Sequence, residues 1–465
     1  MDVVAVARDL LASGPICDAC LGRPFADRSF GLTNDERGRS LRTAVALADD
    51  EDFEDGPTED CWVCEGHCAA HDEWAERVVE AAADYEFDTY QVGTRTPPLI
   101  EENDRLLREE AGLDPEAGEA FKSAFNREVG KRFGRATGAE VDFDRPDVLA
   151  LLNVERGDVD LQVNPAFVYG RYRKLERDVP QTEWPCRECG GSGKQLGEDG
   201  PEDCEHCEGS GYTYPTSVEQ EVTPAIIDAM DGEEALFHGA GREDVDALML
   251  GTGRPFVVEV KKPLKRSPDV EALEDEINES AAGRVEVEGL RLATYEMVER
   301  VKEHDASKRY RAAVALFDQV ERGALDDAFA ELEGTTVEQY TPERVDHRRA
   351  STTRTRTVYE IDGELHDPTV AESVREGAID AGPEAFEVAS RYEEALDLED
   401  VVLTGIVEIH GEGGLYVKEL ISGDDGRTDP SLAGLLDADV AVTALDVLAV
   451  EGEEDPFEDE DFFRD

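Results

Sequence analysis

Eight of the nine cysteines in this chain fall into four Cys-x-x-Cys pairs, a spacing that restricts the fold more than any other feature. Cys186 with Cys189, then Cys204 with Cys207, repeat the pattern Cys-x-x-Cys-x-Gly-x-Gly, with fourteen residues between the pairs. Each pair can clamp one side of a tetrahedral ion, and the glycines let each knuckle turn so that backbone amides face the thiolates. Residues 181–212 are therefore expected to be a self-contained ribbon insertion stapled by structural zinc. The other pairs, Cys17 with Cys20 and Cys61 with Cys64, have forty residues between them. Intervening helix can bring them together, so a second structural zinc is expected on Cys17, Cys20, Cys61 and Cys64, with Cys68 a bystander.

Metal ligation, rather than disulfide bonding, suits a cytoplasmic protein. The sequence agrees: no apolar run approaches the ~18 residues of a membrane span, and the N-terminus lacks the apolar core of a signal peptide. No membrane association is expected. Across 465 residues there are 47 basic and 111 acidic side chains, a formal charge of −64 spread over every segment. With 40% hydrophobic residues, cores can still form, and the length suits two to four domains. A dispersed acidic surface repels itself unless salt screens it. Folding and activity are thus expected to need molar salt, as in salt-in halophiles, and full stability in dilute buffer by thermal melting would contradict this. Phosphates are repelled as well, so any RNA site must be a local basic patch. No DNA partner is expected.

Residues 1–72 form the N-terminal zinc-binding segment: a helix over 3–11, the cysteine pairs, and a helix through 47 capped by Thr33 or Asn34. Residues 73–180 read as an α/β unit, with strands at 87–92, 149–154 and 161–172 and a polar helix over 116–133. Its end carries Arg171, Tyr172, Arg173 and Lys174, cations with an aromatic, which can pair phosphates and stack on a base. An ordinary charged strand end reads the same way. Residues 213–450 form the largest domain, with helices at 270–280 and 288–302 and a strand at 308–316. In HRRASTTRTRTVYEI, Arg348, Arg349, Arg354 and Arg356 offer a phosphate track, the last two on one face of a strand. Residues 415–418, with Tyr416 and Lys418, read as a strand, followed by an acidic glycine loop and a helix from about 429. Residues 451–465 are acidic and expected to be disordered.

The stretch HGAGREDVDALMLGTGRPFVVEVKKP, residues 238–263, reads as a short acidic strand joined to a half-buried strand, with GTGRP as a tight turn. Asp244, Glu259 and Lys261 outline a metal-dependent nuclease, in which carboxylates hold a hard cation and the lysine steadies a water. The bland reading is an acidic turn on a surface hairpin. A third reading rests on Gly-Arg-x-Asp, residues 241–244, which resembles the loop of pseudouridine synthases.

CDACLGRPFADRSFGLTNDERG, GRYRKLERDVPQTEWPC, GAGREDVDALMLGTGRPF, SKRYRAAV and YVKELISGDDGRTDPSLAG resemble, in matching order, the archaeal and eukaryotic tRNA pseudouridine(54/55) synthase family. The heavy acidity, the length of the cysteine-rich insertion and the tail depart from it. The resemblance implies an α+β fold: a mixed, mainly antiparallel-sheet catalytic domain behind a zinc-binding and THUMP-like RNA-binding region. It implies an isomerase acting on the T-loop of tRNA, with Asp244 as the catalytic carboxylate. Lys418 becomes the basic partner of Asp244, with Arg242 the alternative. Tyr310 and Tyr416 join them in binding substrate, Tyr310 stacking on the target base and helping the final proton removal from carbon 5. Arg171, Arg173, Lys174, Arg348, Arg349, Arg354 and Arg356 are its candidate RNA contacts. Such chemistry needs no organic cofactor, leaving zinc a structural role. The nuclease and a non-catalytic zinc-ribbon RNA adaptor stand as alternatives.

Overall fold

Local signals set the first helices. Thr33 accepts from the amide of Glu36 while Glu36 accepts from that of Thr33, a capping box that starts α3 (Asn34–Asp49). The computed structural model describes residues 2–197, 200–303, 306–342, 351–366, 401–451, 457 and 459–464. Two compact units emerge: Met1–Ala166 with Lys261–Arg266, and Phe167–Val260 with Ser267–Asp465.

In the first unit α1 (Val3–Ala12), α2 (Asp18–Gly22) and α3 precede α4 (His71–Ala81), α5 (Pro98–Glu110) and α6 (Phe121–Thr137). They accompany a four-stranded sheet of order β2-β1-β3-β4: β1 (Thr89–Arg95), β2 (Glu140–Val141), β3 (Val148–Asn153) and β4 (Asp158–Val163). β1 buries alternate residues, Tyr90, Val92 and Thr94, as a one-faced strand must. Leu10, Phe25, Trp74, Phe125, Phe133 and Val148 share one core with Cys17, Cys20, Cys61 and Cys64. The cysteine-bearing segment and the α/β segment are thus one packed body, with no division at residue 72.

The second unit is built on a ten-stranded mixed sheet, and the α+β expectation holds. Its path runs β10-β5-β9-β16-β11-β14-β13-β12-β15, with β8 beside β9. The strands are β5 (Ala166–Lys174), β8 (Glu234–Gly239), β9 (Leu248–Lys261), β10 (Val285–Ala293), β11 (Ser307–Leu316), β12 (Thr336–Tyr340), β13 (Thr353–His366), β14 (Leu403–Gly411), β15 (Thr428–Asp429) and β16 (Val440–Glu451). A separate hairpin, β6 (Lys194–Leu196) and β7 (Pro201–Asp203), lies in the cysteine-rich insertion. Pairing is antiparallel from β11 through β15, and parallel between β16 and β9. Helices α7 (Val218–Met230), α8 (Val270–Ser280), α9 (Tyr295–Glu303), α10 (Arg322–Leu332), α11 (Val417–Ser422) and α12 (Leu432–Leu436) complete this unit.

Several local readings change. The strand expected over 161–172 breaks at Asn164 and Pro165, where proline withholds a ladder donor. β5 therefore belongs to the larger sheet, between β10 and β9. GTGRP is no turn: β9 runs through it. Gly251 and Gly253 have φ of +58° and +70°, and a Cβ on Gly251 would sit 1.9 Å from the carbonyl oxygen of Leu448. These glycines permit close backbone approach inside a sheet. The helix expected over 288–302 is half strand, since Val285, Val287, Leu290 and Ala293 alternate into the core as β10 before α9 begins. Tyr416 caps α11 instead of lying in a strand, and the helix expected from about 429 begins at Leu432, capped by Ser431.

The acidic tail is anchored where it is described. Phe457 is buried with Tyr169, Val257 and Met297, and Phe463 bridges to Ala293. Arg291 stacks 3.6 Å above Phe463 and pairs with Glu460. Its phenylalanines outweigh its charge.

Candidate active site

The connection from β8 to β9, residues 240–247, is the wall of an open cleft of about 310 Å³ in the second unit. Asp244 stands on this loop. Opposite, α11 brings Lys418 Nζ 3.4 Å from Asp244 Oδ2 and 2.8 Å from Asp246 Oδ2. One ammonium thus serves two carboxylates, and Asp246 is its closer partner. Tyr310, the fourth residue of β11, lines the cleft between β14 and β16. Burial raises its pKa to about 12, partly opposed by the Arg254 guanidinium and reinforced by Asp244. Near neutrality its phenol therefore keeps its proton. Tyr416 adds a face that Arg354 covers at 5.5 Å. Lys302 and Lys308 also line the cleft, a concentration of cations in a strongly acidic chain.

Arg242 lines the same cleft and donates to the Thr182 hydroxyl, while Lys418 is 3.4 Å from Asp244. Two cleft residues were missed in the sequence. Glu243 and Arg254 form a buried ion pair at 2.9 Å, each side chain 1% exposed. Tyr172 donates to Glu243, and burial holds the Tyr172 pKa well above its ordinary value. An arginine in an apolar strand facing an acidic loop was the available signal. The nuclease constellation does not assemble: Glu259 pairs with His238 at 2.9 Å and does not line the cleft, and Lys261 is the last residue of β9.

Comparison with known proteins decides the family. The model described as Pus10, C-terminal matches residues 167–375 and 392–451, and that described as Pus10 THUMP domain, archaeal, matches residues 74–153. A tRNA pseudouridine synthase Pus10 of Halorubrum lacusprofundi is 62% identical over 464 residues, covering 100% of both chains. The chain belongs to the Pus10 family of tRNA pseudouridine synthases. The protein of that name from Methanothrix thermoacetophila is 40% identical, covering 97% of this chain and 95% of its own. That of Methanothermobacter marburgensis is 39% identical, covering 95% and 96%.

The match to the archaeal Pus10 THUMP domain ends at residue 153, before the basic cluster of β5. That cluster does not present a uniform RNA surface. Lys174 is fully buried, its Nζ donating to the carbonyls of Val179, Asp244 and Val245. Burial lowers its pKa, opposed by the nearby Glu243 and Asp246. Tyr172 is equally buried and has no face for a base. Arg173 is held by Glu286 and Glu288, and Arg171 donates to the carbonyls of Thr252 and Gly253. Strand burial makes Tyr172 and Lys174 structural and leaves Arg171 and Arg173 partly exposed. Arg354 and Arg356 lie in β13, two residues apart on one face, with Arg356 3.6 Å from Glu412. Arg348 and Arg349 lie outside the described residues.

Both cysteine clusters are suited to a metal ion. Tetrahedral thiolates with bonds of about 2.3 Å put sulfurs about 3.8 Å apart. Cys186–Cys204 and Cys189–Cys207 lie at 3.9 and 3.8 Å, and Cys17–Cys64 and Cys20–Cys68 at 3.8 and 3.9 Å. Amides of Gly193 and Gly211 point at Cys189 and Cys207, as the knuckle glycines allow. In the first cluster Cys17, Cys20, Cys64 and Cys68 share metal-ligand spacing, and Cys61 also lies against Cys17, Cys20 and Cys64, so Cys68 joins the candidates that the spacing selects. The short helical turn after Gly66 carries Cys68 inward, while Cys61 Sγ accepts the amide of Cys17 at 3.3 Å. Buried Arg23 donates to Cys20 at 3.0 Å, offsetting the negative charge of four thiolates. Among the described residues these are the two groups with metal-ligand spacing. No helix of the described residues is long and apolar enough to cross a membrane.

Proposed function

We propose that this chain isomerises uridine 54, uridine 55 or both in the T-loop of tRNA, with Asp244 as the catalytic carboxylate. The observation that carries the reading is the Asp244 carboxylate 3.4 Å from the Lys418 ammonium, in a cleft shared with Tyr310. Isomerisation breaks the bond from N1 of uracil to C1′, turns the base, and joins C5 to C1′ with loss of the C5 proton. Asp244 acts by attacking C1′ or by removing the 2′ proton, and either role needs its ionised form. The Lys418 ammonium, 3.4 Å away, faces that carboxylate across the cleft. Tyr310 offers its ring to the flipped base and helps the final transfer, in which C5 loses a proton and N1 takes one up. The reaction is redox-neutral and consumes no water, so no organic cofactor takes part.

Extruding the uridine costs about a few kcal/mol, which contacts elsewhere on the tRNA supply. Arg354 and Arg356, together with Arg348 and Arg349, are proposed to follow its phosphates, with Arg171 and Arg173 as partly shielded additions. Zinc is proposed at both cysteine clusters, the first on Cys17, Cys20, Cys64 and Cys68. Its filled d shell and thiolate preference suit these sites, where four protein ligands leave no open position for chemistry. Cytoplasm is the expected compartment.

The experiment incubates unmodified tRNA transcript with the protein in molar KCl and maps pseudouridine by carbodiimide-blocked primer extension. A stop in the T-loop, on RNA of unchanged length and mass, is the expected result. Shortened RNA with magnesium would instead support a nuclease. Full-length RNA without stops, from protein that is folded and bound, would support the adaptor.

A further inference from the structure

The catalytic loop is held from beneath by side chains to which the isomerisation itself assigns no task. Arg254 Nη1 donates to Ala240 O at 2.6 Å and Gln181 Nε2 to Gly241 O at 2.9 Å. Lys174 Nζ donates to Asp244 O at 3.2 Å and Val245 O at 2.9 Å, and Arg177 Nη1 to Asp246 O at 2.7 Å. Within residues 240–246, five carbonyls therefore each receive a side-chain donor, three of these donors cationic. Lys174 occupies the middle of this set. It is fully buried, its third bond reaches Val179 O at 2.8 Å, and its two loop partners are the carbonyls of Asp244 itself and of its neighbour.

We propose that Lys174 is a positioning residue for Asp244: from inside the sheet it holds the backbone at that residue so that the carboxylate stays against Lys418. The inference rests on the reading of Asp244 as the catalytic carboxylate. Connecting loops are ordinarily the mobile part of a fold, yet a reacting group must be held to a fraction of an ångström. Charge-assisted bonds to carbonyls are stronger than neutral ones. Methionine at 174 would keep the apolar stem and withdraw all three donors, leaving the Asp244 carbonyl to the Ala247 amide at 3.1 Å and the Val245 carbonyl to the Asp178 amide at 3.1 Å, without the charge-assisted bonds. Lys174 is buried and is not among the residues that line the cleft, so its removal should slow the chemical step and leave tRNA binding alone.

The test compares Lys174→Met and Gln181→Leu with Asp244→Ala in molar KCl, each below its melting temperature. Gln181 lies outside the strands, so its variant remains informative if Lys174→Met does not fold. Single-turnover rates at saturating tRNA and the dissociation constant for tRNA are measured separately. Lys174→Met is expected to slow isomerisation ~100-fold, the cost of a displacement of about 1 Å. Gln181→Leu is expected to slow it roughly tenfold, as a smaller misplacement of the same loop. Both should keep the dissociation constant within about twofold, because the phosphate contacts lie elsewhere. Wild-type rates in Lys174→Met, or in Gln181→Leu should that be the one that folds, would overturn the inference, as would loss of rate only in proportion to loss of folded protein. An active Asp244→Ala would instead overturn the underlying reading of the site.

Discussion

Asp244→Asn is expected to slow pseudouridine formation at least ~10⁴-fold, because asparagine keeps the shape of the side chain but can neither attack C1′ nor take the 2′ proton. That is about 5.5 kcal/mol of transition-state stabilisation, and it appears in kcat rather than in affinity. Fold stability changes little, since Asp244 is 37% exposed and Lys418 keeps its closer bond to Asp246 at 2.8 Å. The dissociation constant for tRNA stays within about twofold, as the tRNA's phosphate contacts do not involve this carboxylate. Single-turnover kinetics together with filter binding separate the two quantities. A variant that loses binding and rate together would point to a docking role for the loop.

Stripping the proposed zinc is expected to have the second large effect, unequal between the two units. Cys17, Cys20, Cys61 and Cys64 are part of the first unit's core, beside Leu10, Trp74 and Val78. Structural zinc contributes an apparent free energy on the order of 10 kcal/mol, comparable with the whole stability of a domain. Cys20→Ser is therefore expected to unfold the first unit. Cys189→Ser should release only the insertion, whose cysteines cluster by themselves and whose short hairpin lies outside the ten-stranded sheet. Titration with an organomercurial, with a chromophoric chelator reporting release, should count two zinc ions per chain. Calorimetry in molar KCl should show the larger loss for Cys20→Ser. Equal losses for both variants would contradict this division.

Much of this organisation is readable from the chain because its signals are local. The capping box at Thr33 and Glu36, helix α8 and the knuckle glycines all state their conformation within a few residues. Asp244 was legible through its motif, and Lys418 through its own. What was not legible depends on partners distant in sequence. Lys174 reads as a surface cation until β5 is placed between β10 and β9, where its stem is buried and its ammonium meets three carbonyls. Arg254 finds Glu243 only once β9 folds back past the loop. Cys68 reaches Cys17, Cys20 and Cys64 through a turn that spacing alone does not specify. The tail shows the same limit from the other side: its acidic composition predicts solvation, yet Phe457 has a pocket formed by residues more than a hundred positions away.

If Asp244 drives carbon–carbon bond formation at C5 of a T-loop uridine, the reaction must expel the hydrogen from that carbon. The most direct measurement uses tRNA transcript carrying tritium at C5 of uridine, mixed in molar KCl with excess wild type or Asp244→Asn, and counts tritium released to water. The account predicts release from one or two uridines per tRNA with the wild type and none above background with Asp244→Asn. Equal release from both proteins, or none from folded wild type bound to tRNA, would contradict it.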